Sequence, residues 1–293
     1  MRAQNAHRLR AVVITGASTG IGAACALDLA ARGWRVFAGV RKSADGDALR
    51  AKSPDGLEPV LLDVTEPLSI GHAARFVTDA VGAVGLAGLV NNAGMAVTGP
   101  LEALPIAALR NQFEVNVIGQ IAVTQAFLPL VRQGRGRIVN MGSIAGRATT
   151  PMMGPYCASK FALESLTDAL RLELQPWGIH VSIIEPGAIA TPLWDKSKRA
   201  SVEAGAAVPA DMMKSYAVMI ARIREAAAEA EQRAISPDAV VKAVRHALTA
   251  PRPKTRYLVG NDANIRALIQ KLLPDRLHDR LLTWFLKLPR EAQ

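Results

Sequence analysis

AVVITGASTGIG (residues 11–22) is the stretch on which the reading of this chain turns. Its first five residues form an apolar, β-branched run suited to a strand. Gly16, Gly20 and Gly22 follow at GxxxGxG spacing, and the Ala- and Leu-rich segment IGAACALDLAARG (21–33) reads as a helix opening inside the motif. Glycines permit tight turns and close approach of the backbone, while the N–H groups of a helix N-terminus face an anion. Ser18 and Thr19 add hydroxyl donors between Gly16 and the Gly20-Ile21-Gly22 step. A glycine triplet alone also fits ordinary turns. Its place directly after a first strand favours the pyrophosphate of a dinucleotide.

Outward from this motif, short β-rich runs alternate with helical ones. Strands are expected at 11–15, 35–40, 59–63, 86–90, 136–141, 180–184 and 256–259, and a long helix from about Tyr156 to Trp177 behind Pro155. Continuous apolar strands alternating with helices imply a parallel sheet covered on both faces. The expected architecture is α/β: a doubly wound Rossmann fold with seven parallel strands in a single domain spanning 1–293. Its core covers 11–260, the strandless segment 188–235 stands outside the rhythm, and 262–293 form a helical extension.

Composition narrows the function classes. Half of the 293 residues are apolar and a fifth are charged, as in a globular protein with a substantial core. The formal charge of +10 invites a nucleic-acid partner, but Lys and Arg are dispersed, without a long basic run interleaved with aromatics. A solvated basic surface and no nucleic-acid role is the expectation. Cys25 and Cys157 lack metal-ligand spacing and make no disulfide framework, which points to a reducing, cytoplasmic setting and no metal site. No cleavage-site pattern follows the apolar AVVIT run, and no stretch reaches the roughly 18 uninterrupted apolar residues of a spanning helix.

The end of the second strand reports on the cofactor. A carboxylate about 20 residues after the glycine loop would bind the ribose hydroxyls of NAD. Here AGVRKS places Arg41 first, with Lys42 and Ser43, and no acid occurs before Asp45. A guanidinium fork suits a 2′-phosphate, so NADP(H) is favoured over NAD(H); a surface charge at a loop start is the plain alternative. Asp63, with Val64 after it in LLDVT, can accept from an adenine amino group or serve as a helix cap. NNAG (91–94) offers a further turn, Asn92-Ala93-Gly94, beside the cofactor, whereas Asn91 fits a structural tie between strands.

Ser143 closes the fifth strand in NMGS, and ligands of doubly wound sheets sit outside the carboxyl ends of the strands. Tyr156 and Lys160 in PYCASK are four apart and share a helix face. Asn116, in FEVNVIG, lies on the intervening helix.

TGASTGIG, NNAG, EVNVIG, MGS, YCASK and the PG of IIEPGAIATP occur in the order of the short-chain dehydrogenase/reductase motifs, which the chain resembles over about residues 11–260. That resemblance implies Tyr156 as acid–base and Lys160 as the group that lowers its pKa and holds the nicotinamide ribose. It implies Ser143 as the residue orienting the substrate oxygen, and Asn116 as support for a water and proton relay. Pro186 and Gly187 would pass the nicotinamide carboxamide, with Thr191 bonding it. It further implies a homodimer or homotetramer.

VFAGVRK and the C-terminal extension resemble the branch with 17β-hydroxysteroid and retinol dehydrogenases, which implies a hydrophobic alcohol or ketone substrate, steroid-, retinoid- or lipid-like. Trp194, Met212, Met213, Tyr216 and Met219 suit a pliable apolar pocket, and equally ordinary helix packing. In the tail, Ile265, Leu268, Ile269, Leu272 and Leu273 keep helical spacing up to Pro274, and Leu277, Leu281, Trp284, Phe285 and Leu288 continue the stripe beside Arg266, Lys271, Arg276, Arg280, Lys287 and Arg290. Packing on the domain or a subunit accounts for this, as does peripheral contact with a membrane through 264–288. A non-catalytic dinucleotide-binding redox sensor and an epimerase or dehydratase of the same family are the rival functions.

Overall fold

The computed structural model describes residues 10–289 apart from 54 and 207; residues 1–9 and the expected tail cation Arg290 lie outside them. Strands and helices follow as β1 (Ala11–Ile14), α1 (Gly20–Ala31), β2 (Arg35–Val40), α2 (Ser43–Arg50), β3 (Leu57–Leu61), α3 (Pro67–Val81) and β4 (Gly88–Asn91). Next come α4 (Ile106–Phe113), α5 (Gly119–Gln133), β5 (Arg137–Met141), α6 (Gly154–Glu173) and β6 (His180–Pro186). The chain continues through α7 (Leu193–Gly205), α8 (Ala210–Ser215), α9 (Ala217–Gln232), α10 (Asp238–Thr249), β7 (Arg256–Val259), α11 (Asn261–Leu272) and α12 (Asp275–Phe285).

The seven strands pair in parallel in the order β3-β2-β1-β4-β5-β6-β7. Because side chains alternate across a strand, β1 feeds both faces of the sheet. Val12 and Ile14 join Leu29 and Val244 on the face covered by α1 and α10. Ala11 and Val13 join Phe37, Val77 and Phe127 on the face covered by α3 and α5. This is the expected doubly wound Rossmann sheet. Its order reverses between β1 and β4, the switch point where such folds bind ligands.

Several boundaries move for local reasons. β3 runs two residues earlier than expected, because it pairs along the whole of β2 from Val36 with Leu57 to Val40 with Leu61. β6 extends to Pro186. The long helix starts at Gly154 and ends at Glu173; a separate 3₁₀ turn, Gln175–Trp177, takes over where Pro176 removes a backbone donor.

A buried polar ladder ties the sheet to the helices that carry the candidate site. Asn91 donates to Asn140 across β4 and β5 (2.9 Å) and to Thr124 of α5 (2.8 Å), and Asn140 donates to Thr167 of α6 (2.8 Å). Among the described residues, one helical run, Ile106–Gln133, is long and apolar enough to cross a membrane. Half of its most apolar window is buried, with Val123, Phe127 and Val131 in the core.

Candidate active site

At the switch point the glycine loop and the turn after β4 are interlocked. Gly16 has φ 62°, open to glycine at no cost, and a Cβ there would lie 2.8 Å from Ala93 Cα. A Cβ on Gly22 would lie 2.4 Å from the Gly16 oxygen and 2.5 Å from Asn92 Nδ2. Asn92 donates to the carbonyls of Thr15 (3.0 Å) and Gly16 (3.1 Å). The half-buried Ser18 and exposed Thr19 lead into α1, whose first turn contains no acid and whose end is not capped by the Thr19 side chain. Ile21 packs on the core, and Thr191 stands 3.2 Å from a Cβ built on Gly20. A loop whose close approaches fall at glycines, backed by uncapped helical N–H groups, fits a dinucleotide pyrophosphate.

Arg41 and Lys42 are exposed at the end of β2, and Ser43 opens α2. Asp63 Oδ1 accepts from Thr65 N (3.0 Å) and Thr65 Oγ1 (2.8 Å), leaving Oδ2 without a partner among the described residues. A Cβ on Gly119 would lie 2.5 Å from the Val64 carbonyl oxygen, and the buried Val64 side chain belongs to the core cluster with Leu62 and Val123.

Toward the substrate side, β5 delivers Ser143 and α6 delivers Tyr156 and Lys160. Ser143 Oγ accepts from Ala145 N (3.1 Å) and lies 3.5 Å from the Pro186 oxygen. Burial raises the pKa of the Tyr156 phenol, and a hydrogen bond with the Ser143 side chain draws it back down. Lys160 is 4 % exposed; its Nζ donates to Met141 O (2.7 Å) and stands 5.8 Å from the Tyr156 ring centroid. Burial pushes this amine down to about 8, opposed by the carboxylate of Glu164 one helical turn on. Asn116 is near Lys160: a Cβ on Gly94 would be 3.5 Å from Asn116 Oδ1 and 3.9 Å from Lys160 Nζ.

The Asn116 side chain does not point a free group at Tyr156. It sits in a π-helical segment, Glu114–Ile118, of a kind often found at functional sites. Its Oδ1 accepts from Met95 N (2.9 Å), and its Nδ2 donates to Met95 O (2.9 Å) and Ser159 Oγ (3.0 Å). Ser159 Oγ in turn donates to the Tyr156 carbonyl (2.7 Å).

Other supporting residues escape a motif search. Gln112 holds Met95 O (2.7 Å) and Val97 N (2.8 Å), and Gln120 donates to Ala93 O (2.9 Å). With Asn116 they recur every fourth residue as buried amides in an apolar helical run. That periodicity is the signal that identifies them as one ridge gripping the 93–97 loop. Thr15 Oγ1 accepts from Asn92 N (2.9 Å) and Ala93 N (3.0 Å), knotting β1 to the same loop.

The helices α7, α8 and α9 contain no buried residue among those described. Trp194, Met212, Met213, Tyr216 and Met219 are all half-buried. Polar contacts anchor this layer: Trp194 Nε1 donates to Ile189 O (2.8 Å), Thr98 meets Ser201 (2.8 Å), and Lys196 Nζ donates to Thr19 Oγ1 (2.9 Å).

The family model described as short chain dehydrogenase matches residues 10–201. Retinol dehydrogenase 5 of Mus musculus is 37 % identical, over 96 % of this chain and 90 % of that protein. An NADPH-dependent 3-dehydrocapnine reductase of Ornithobacterium rhinotracheale is 36 % identical, over 93 % of this chain and 96 % of its own. A short chain dehydrogenase from Burkholderia cenocepacia J2315, solved in complex with NADP, superposes with a TM-score of 0.71 at 30 % identity, covering 94 % of this chain and 98 % of that one.

Proposed function

This chain belongs to the short-chain dehydrogenase/reductase family, on its retinol dehydrogenase-like branch, and we propose that it interconverts a hydrophobic secondary alcohol and its ketone with Tyr156 as acid–base. The observation that carries this reading is the convergence of Ser143, Tyr156 and Lys160 at the strand ends beside a glycine cradle. A nicotinamide dinucleotide, when bound, supplies or accepts the hydride. Tyr156 moves the proton at the substrate oxygen, and Ser143 donates a hydrogen bond to that oxygen as charge develops. The ammonium of Lys160 favours the phenolate. With its side chain engaged by Met95 and Ser159, Asn116 acts by holding the 95 loop and the first turn of α6, and only its backbone remains for a proton relay. Pro186, Gly187 and Thr191 border the nicotinamide end, and the glycine loop, Asp63 and the Asn92–Gly94 turn border the rest.

The test is a panel of hydrophobic ketones and alcohols, run in both directions with NADP(H) and with NAD(H). Turnover with net cofactor consumption is expected. Tight nucleotide binding without turnover would instead indicate a redox sensor, and conversion without net consumption an epimerase or dehydratase.

NADP(H) preference belongs to the same proposal. It is supported by the exposed Arg41 at the end of β2, the lack of an acid before Asp45, and the NADPH and NADP named for two relatives. Arg41→Ala is expected to raise the KM for NADPH by about 10- to 100-fold, as loss of a charge-assisted pair of hydrogen bonds would. The KM for NADH should stay near its starting value. Equal effects on both cofactors would overturn the assignment.

The half-buried Trp194, Met212, Met213, Tyr216 and Met219 support an apolar substrate wall on α7–α9. We assign the enzyme a cytoplasmic setting and a homodimeric or homotetrameric state, the latter to be measured by light scattering. Its tail is assigned a peripheral membrane contact: Trp284 is 71 % exposed and Phe285 67 % exposed on α12, with Arg276 and Arg280 on the same helix. Vesicles containing phosphatidylserine should pull down the protein at low salt, and Trp284→Ala with Phe285→Ala should cut the bound fraction several-fold. Absence of lipid binding at low salt would end this part of the proposal.

A further inference from the structure

We infer that α11, which lies beyond the last strand, is a brace that fixes the two walls of the active site through Asp262 and Arg266; the inference rests on the site assignment above. The two residues are four apart and so share one face of the helix. Asp262 Oδ2 accepts from Ala188 N (2.7 Å), and Arg266 Nη2 donates to Thr150 Oγ1 (2.9 Å) and Ala148 O (3.2 Å).

These partners lie on the two segments that frame Ser143. Gly187 and Ala188 follow Pro186, whose carbonyl is 3.5 Å from Ser143 Oγ. Ala148 and Thr150 lie on the connection from Ser143 to Tyr156. That connection includes Met152 at φ 66°, a conformation L residues avoid unless neighbours enforce it, and Gly99 N donates to Met152 O (2.7 Å). Arg266 supplies the second hold.

The glycine at 187 has its reason in the same contact. A Cβ there would lie 2.1 Å from Asp262 Oδ2, and a Cβ on Gly260, at φ 106°, would lie 2.5 Å from Asp262 Oδ1. The carboxylate therefore occupies a slot that exists because both neighbouring residues lack side chains. Asp262 sets the nicotinamide-side segment and Arg266 the substrate-side segment, so one rigid helix fixes their separation. Both are positioning residues, since neither is placed against substrate or cofactor.

The test compares Asp262→Ala, Asp262→Asn and Arg266→Ala with the wild-type enzyme by kinetics, NADPH fluorescence titration and peptide hydrogen exchange. Asp262→Ala should lower kcat and weaken NADPH binding by about tenfold each, and speed exchange in 187–191 only. Asp262→Asn keeps an oxygen acceptor for Ala188 and should stay within about twofold of wild type. Arg266→Ala should raise the ketone KM about tenfold with kcat nearly unchanged, and speed exchange in 147–153 only. A wild-type enzyme without turnover would refute the functional assignment alone, because exchange and NADPH affinity still read the brace. Unchanged exchange in either alanine variant, or exchange raised throughout the fold, would overturn it, as would Asp262→Asn behaving like Asp262→Ala.

Discussion

Tyr156→Phe is expected to reduce kcat by about 10³- to 10⁴-fold, the upper range for loss of a positioned acid–base group. NADPH affinity and melting temperature should hardly change. The ring is half-buried and its packing is retained, so the hydroxyl is the one group removed. In the protein as it stands, burial raises the phenol's pKa while Ser143 opposes that rise. Removing Ser143 as well takes away the second group on the same substrate oxygen, one that also bonds the phenol. Ser143→Ala alone should cost about 10²- to 10³-fold, comparable to losing one oxyanion donor. The double variant should be little worse than Tyr156→Phe, because groups acting as a unit are not additive. A Tyr156→Phe enzyme with wild-type turnover would remove the assigned role, and full additivity would show that Ser143 acts elsewhere.

Much of this site is legible from residue order because the motifs are local. The glycine loop, the end of β5 and the four-residue step from Tyr156 to Lys160 each read from a few neighbouring residues, and the parallel sheet brings their ends together. Asn91 reads as a tie between strands, and it bonds Asn140 across β4 and β5. What stays hidden depends on distant pairing. Nothing local to Asp262 points to Ala188, 74 residues earlier, nor anything local to Arg266 to Ala148, 118 residues earlier. The orientation of Asn116 likewise depends on a π-helical turn, which no periodicity in FEVNVIG announces. The tail shows the same division. Pro274 separates α11 from α12 as its position implies, but the outward face of α11 alone does not reveal that its inner face grips two active-site segments.

Lys160→Met should separate function from stability in the same molecule. Activity should fall by about 10²-fold or more, since a nearby ammonium can shift the phenol by one to three pKa units. Stability should rise. The lysine is 4 % exposed, and burial brings it from 10.5 to about 8, so at neutral pH the folded protein carries a charge in a site that disfavours it. A shift of that size corresponds to about 3 kcal/mol. Losing the hydrogen bond to Met141 O returns about 1 kcal/mol of that, and a methionine of similar length refills the space. The net gain of about 2 kcal/mol should raise Tm by several degrees. The sign with pH provides the sharper check. Below about 8 the amine is charged in both folded and unfolded states, and the full penalty stands. Between about 8 and 10.5 the unfolded chain holds the extra proton, so wild-type stability rises with pH and the penalty disappears above that window. The stability advantage of Lys160→Met should therefore be largest at pH 7 and nearly gone at pH 10. A gap that stays constant across this range would mean that the buried charge is not what Lys160 costs the fold, and a less stable variant at pH 7 would reverse the argument.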